Sequence, residues 1–213
     1  MPRIRLSLLL ALALTACGGG NRVEDLMGVG DVLGAEEAEA LATLLVGQSM
    51  ESGLAGLYGP PQAPPRVPSK APFTVDDRVA GEVPCLRGGS YFFSGTLVGS
   101  GDAELGEMDL SFALVQAHSE CSVVHEETGL EFTLDGDPQL AFEYDLMITN
   151  QTNLDLLGTI VGGVLWATED GRDGSCRIDL GFEMSADGAT GALSVTAEGE
   201  VCGVQVSQTV TQG

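Results

Sequence analysis

The chain has 213 residues, of which 31 are Asp or Glu and 9 are Lys or Arg, giving a formal net charge of -22. An apolar content of 44% is enough for the core of one good-sized domain with an extension, and it excludes disorder throughout. So few cations exclude a nucleic-acid binder, which must bring Lys and Arg to neutralise phosphates.

The N-terminus reads Met1-Pro2-Arg3-Ile4-Arg5, followed by an apolar run from Leu6 to Leu14. Two arginines ahead of a run far shorter than the roughly 20 residues of a membrane-spanning helix give the layout of a secretory signal peptide. Its end, Leu14-Thr15-Ala16-Cys17, closely resembles the lipobox of bacterial lipoprotein precursors. The resemblance covers residues 1–17. It implies that the Cys17 thiol takes a diacylglycerol, that residues 1–16 are removed, and that the new amino group is acylated with a palmitate-type chain. The family's inner-membrane members carry Asp after the cysteine. Gly18 stands there in this chain, which implies a bacterial envelope protein sorted to the outer membrane. Residues 17–30, opening with Gly18-Gly19-Gly20-Asn21, form a flexible tether. Cleavage removes Arg3 and Arg5 but no acid, so the mature surface is still more acidic and is repelled by anionic headgroups. The membrane contact must then be the lipid itself.

Residues 31–57 carry helix signals. Ala35-Glu36-Glu37-Ala38-Glu39-Ala40 are good helix formers with acids in the first turn, and Leu41, Leu44, Leu45 and Gln48 follow at helical spacing. Gly47, Gly53 and Gly56 weaken the second half, so one helix of about 12–15 residues with a frayed extension is expected. Residues 58–84 hold Pro60, Pro61, Pro64, Pro65, Pro68, Pro72 and Pro84, a composition that reads as a semi-rigid linker.

Residues 85–213 read as all-β. Leu110, Phe112 and Leu114 alternate with polar or small neighbours, and so do Leu130, Phe132 and Leu134. The pattern continues with Phe142, Tyr144, Leu146 and Ile148, and then with Ile178, Leu180, Phe182 and Met184. Asp135-Gly136, Asp170-Gly171, Asp173-Gly174 and Asp187-Gly188 suit hairpin turns. The expected fold is mainly β: an antiparallel sandwich or small closed barrel of about eight to ten strands. With so few aromatics for two girdles, a transmembrane barrel is not expected. Gly95-Thr96-Leu97-Val98-Gly99 recurs as Gly158-Thr159-Ile160-Val161-Gly162, and Met108–Leu114 recurs as Ile178–Met184. A duplicated unit and chance matching between alternating strands explain this about equally well.

Beyond Cys17, the cysteines are Cys85, Cys121, Cys176 and Cys202. An even count in an exported domain reads as two disulfides. Of three pairings, Cys85–Cys121 with Cys176–Cys202 is favoured, because each then closes one half of the domain. His118, Cys121 and His125 could in outline hold zinc, but a disulfide removes Cys121 as a ligand. His125-Glu126-Glu127 has Gly129 where a zincin helix needs its second His. Asp135-Gly136-Asp137 and Glu169–Asp173 could offer oxygens to calcium, but neither has the spacing of a calcium loop, and turn chemistry explains both. Ser100 lacks the G-x-S-x-G frame of a nucleophile elbow. No catalytic residue, metal or cofactor is therefore assigned. The expectation is a non-catalytic envelope lipoprotein with a structural or protein-interaction role, held to the membrane by its lipid and with an envelope protein as possible partner. The alternative is a carrier of an apolar ligand inside a β-barrel.

Overall fold

The computed structural model describes residues 30–58, 72–102, 104–136, 139–150 and 152–212. The expected signal segment, Cys17 with residues 18–29 of the expected tether, and residues 59–71 of the Pro-rich stretch lie outside the described residues. One helix, α1 (Ala35–Tyr58), precedes nine strands. These are β1 (Phe73–Pro84), β2 (Gly88–Asp102), β3 (Glu107–Val124), β4 (Glu131–Asp135), β5 (Leu140–Thr149), β6 (Asn153–Thr168), β7 (Asp173–Asp187), β8 (Ala192–Val201) and β9 (Val204–Gln212). The fold is mainly β, as its alternating sequence requires.

The helix starts where the acids predict. Glu37 reaches back to accept the Gly34 N–H at 2.8 Å, which is half of a capping box. It then runs unbroken for 24 residues, through Gly47 and Gly53. The expected fraying does not occur, because tertiary packing outweighs propensity. Ala38, Ala40, Leu41, Ala42, Leu45, Val46, Ser49 and Ser52 are all buried, so most of the helix circumference is covered. Among its described side chains, the exposed ones are Ala35 at the start and a narrow stripe through Glu36, Glu39, Gly47 and Glu51.

All strand pairings are antiparallel, and neighbours in sequence are neighbours in the sheet except at β4 and β5. β4 and β5 share one place between β3 and β6. They run in the same direction, so Asp135-Gly136 is no hairpin turn but a break within one strand position. A side chain at Gly136 would strike the His118 backbone. Asp173-Gly174 is likewise not a turn: it opens β7, and Gly174 forms a bridge with Gly30. Asp170-Gly171 does turn, with Gly171 at φ 85°. Asp187-Gly188 also turns, although the left-handed residue there is Gly191.

The sheet begins earlier than the sequence suggested. β1 takes Phe73–Pro84 out of the expected 58–84 linker and pairs with β2 along its whole length. Its alternation was hidden because Asp77 and Gly81 occupy two of the positions in phase with Phe73, Val79 and Val83. At Gly81 the missing side chain leaves room for the Phe93 ring.

Among the described residues no strand pairs with the outer edge of β1 or β9. Helix α1 packs on β9, β8, β1 and β3, so both edges of the curled sheet meet the helix. Leu33, Leu41 and Leu45 join Phe93, Phe132, Phe142, Phe182 and the inward residues of the other strands in one core. The two similar hairpins, β2–β3 and β6–β7, point to opposite ends of the sheet, whereas both disulfides lie at one end. Chance matching therefore accounts for the faint repeat better than duplication does.

Candidate functional site

The cysteines pair as Cys85–Cys121 and Cys176–Cys202, with Cα–Cα distances of 5.4 and 4.4 Å. Each links a turn to the body of a strand. The β1–β2 turn is tied to β3, and the β8–β9 turn to β7. Both cross-links sit at the end where the chain enters α1. There Gly30 bridges Gly174, Asp31 N–H donates to the Asp173 carbonyl at 2.8 Å, and Arg172 pairs with Glu37 and Asp170. The Arg172 hydrogen bond holds the Glu37 carboxyl below its ordinary range. The acidic turn Glu169–Asp173 thus serves to fasten the helix start.

His118 and Cys121 both point inward, although three residues apart in a strand. Glu120 has φ 47°, and this bulge resets the alternation between them. Cys121 is disulfide-bonded, and His125 lies at the β3–β4 turn with Nδ1 2.9 Å from Thr128 Oγ1. The three do not converge. Among the described residues no group of His, Cys, Asp and Glu is arranged to hold a metal ion.

Between α1 and β2–β3 lies a buried polar seam that the sequence did not single out. His118 Nε2 is 3.0 Å from Gln48 Oε1, so the ring donates and the amide oxygen accepts. Gln116 Nε2 donates to Ser52 Oγ and to the Gln48 carbonyl, and Tyr91 OH donates to Glu51 at 3.1 Å. Burial lowers the His118 pKa to about 4 and raises those of Tyr91 and Tyr144. Gln48 and Ser52 stand four apart on a face otherwise made of Leu and Ala, which was the available signal. A general base must reach a nucleophile that a substrate can also reach. His118 instead bonds an amide and is only 6% exposed. The seam positions the helix; it offers no open cleft for a reaction.

Several open hollows mark the surface, two of them of contrasting chemistry. A shallow trough of about 890 Å³ crosses the outer face from β2 to β8, floored by small residues such as Thr96, Ala113 and Gly181. Its carboxylates are Glu143, Asp145, Glu183 and Glu198, and Asp145 accepts a 2.5 Å bond from Ser111. The second is a smaller apolar notch of about 210 Å³ between α1 and β8–β9. Ser100 faces outward beside Asp109, far along β2–β3 from the level of His118. Compared with family models, with curated proteins and with solved structures, the chain matches none.

Proposed function

We propose that this is a lipid-anchored envelope protein, most consistent with the outer membrane, whose β domain works by contact rather than catalysis. The observation that carries this reading is the filled interior. Space that a carrier would keep hollow is occupied by α1 and its Leu, Ala and Ser side chains. His118, Gln48, Gln116 Nε2 and Ser52 bond one another instead of converging on a cleft. The carrier alternative is not favoured, because the core inside the sheet is filled and the trough of about 890 Å³ lies on the outer face, not in an enclosed interior. Support for the anchor comes from Leu14-Thr15-Ala16-Cys17 and from the cross-linked end at which the tether joins the domain.

The test is metabolic labelling with an alkyne fatty acid, followed by fractionation of cells expressing the precursor. The wild type should carry label and sediment with outer membrane, and Cys17→Ser should lose both the label and the outer-membrane location. An unlabelled wild type, or a Cys17→Ser variant that still carries label or still sediments with outer membrane, would overturn the reading.

A further inference from the structure

The exposed stripe of α1 and the free edge of β9 meet at the notch. Gln208 Nε2 donates to the Glu39 carbonyl and to Thr43 Oγ1, which ties the helix to mid-β9. Beyond that tie no described residue pairs with the outer edge of the strand. Thr209 and Thr211 are exposed, and Val210, whose alternation turns it toward the core with Val206, is 47% exposed. The notch lies beside it, walled by Val46, Gly47 and Met50 of α1 and by Val195 and Ala197 of β8.

Gly47 is the telling residue. A glycine inside a helix costs about 1 kcal/mol against alanine. Packing does not require it, because an added Cβ at 47 would meet nothing within 4 Å. What the missing side chain does is keep the notch open. A volume of about 210 Å³ equals about seven waters at bulk density, the scale of one or two aliphatic side chains rather than of a whole ligand. The two sheet edges also differ. β1 is guarded by Asp76, Asp77, Arg78, Glu82 and Pro84, devices that deter strand addition. β9, Val-Gln-Val-Ser-Gln-Thr-Val-Thr-Gln, has no charge and no proline. The helix beside it carries Glu36 and Glu39 and no Lys or Arg, while Glu51 is turned toward Tyr91 of β2.

We propose that the seam between α1 and β9 docks an extended, Lys- or Arg-flanked segment of a partner protein, which pairs with the upper edge of β9 and seats one aliphatic side chain in the notch. This rests on the contact reading above and supplies its partner chemistry. Main-chain bonds to the strand give affinity, the notch gives selectivity, and the helix carboxylates favour basic flanks over a second acidic copy.

The experiment uses the mature lipidated protein in detergent and the peptide acetyl-Lys-Thr-Leu-Thr-Val-Thr-Lys-amide, read by calorimetry and amide hydrogen exchange. Saturable binding should slow exchange at residues 207–211 at least tenfold. A Glu-flanked peptide should bind at least tenfold more weakly. Gly47→Leu, which fills the notch, and Val210→Lys, which charges the edge, should each weaken binding at least tenfold with native circular dichroism retained. Absence of saturable binding, protection elsewhere, or binding that survives both variants overturns the proposal. So does self-association that protects the same amides, since a second copy is then the occupant. Prior protection in the free protein that Arg66→Glu with Lys70→Glu removes also overturns it, since the chain's own segment then lies there. Each of these leaves the Cys17 fractionation result standing, so the two readings fail separately.

Discussion

His118 shows how one residue sets a pH limit on the fold. Its ring faces Gln48 of α1, Tyr91 of β2 and, through space, the Asp135 carboxylate of β4. Burial disfavours the imidazolium, and Asp135 offsets this only in part, leaving the folded pKa at about 4 against 6.5 for an ordinary histidine. A base with a depressed folded pKa contributes its full stability above pH 6.5 and loses it as the pH falls toward 4. The loss is about 3 kcal/mol in that window. Chemical denaturation of the wild type at pH 7 and pH 4.5 should show the decline. His118→Gln, which keeps a donor toward Gln48 but cannot titrate, should decline measurably less. Equal slopes for the two proteins would show that carboxylates alone set the acid limit.

Within α1, two glycines that look alike in the sequence stand in opposite surroundings. An added Cβ at Gly53 would land on the Tyr144 hydroxyl, whose ring is stacked on Phe112 at 4.5 Å. Gly53→Ala should therefore cost about 1–3 kcal/mol through overpacking, and part of this should return in a Tyr144→Phe background. At Gly47 nothing is displaced, so Gly47→Ala should raise stability by about 0.5–1 kcal/mol. Thermal melts of the two single variants should move in opposite directions. The expected helix was too short because sequence spacing treats every interior glycine as a weak point. Whether the glycine is a cost or a clearance depends on β5, about ninety residues away in the chain. The same holds for β1. Residues 73–84 read as linker because Asp77 and Gly81 interrupt the alternation of Val75, Val79 and Val83; the Phe93 ring fills the gap at Gly81.

For the whole molecule, stability is distributed unevenly between the two ends of the sheet. Both disulfides and the Arg172–Glu37 pair lie at the end where the chain enters α1, and among the described residues the opposite end is joined by turns without a cross-link. Loops of 36 and 26 residues make each bond worth about 3–4 kcal/mol on the loop-closure model. Replacing either cysteine pair with serine should lower the melting temperature. Amide exchange should then rise first at residues 85–87 and 202–203, with residues 149–153 of the far end little changed. A uniform rise would mean that the bonds act on the unfolded chain alone and not on that end. The outward faces of the strands carry carboxylates on β3, β5, β6, β7 and β8, so this sheet presents water-facing chemistry rather than a lipid-facing belt.

The sequence by itself determined the class of fold, the strands with clean alternation and the even cysteine count, and it displayed the lipobox-like pattern Leu14–Cys17; which cysteines pair was decided by the fold. Those features depend on local periodicity, on parity of count, or on a short linear pattern. Only the tertiary structure decided that Asp135-Gly136 interrupts a strand instead of turning it, that His118 and Cys121 share a face, and that α1 fills the inside of the sheet. It also decided that the acidic turn at 169–173 fastens the helix. Each of these depends on which distant segment supplies the neighbouring atoms, and spacing along a chain does not encode that distance.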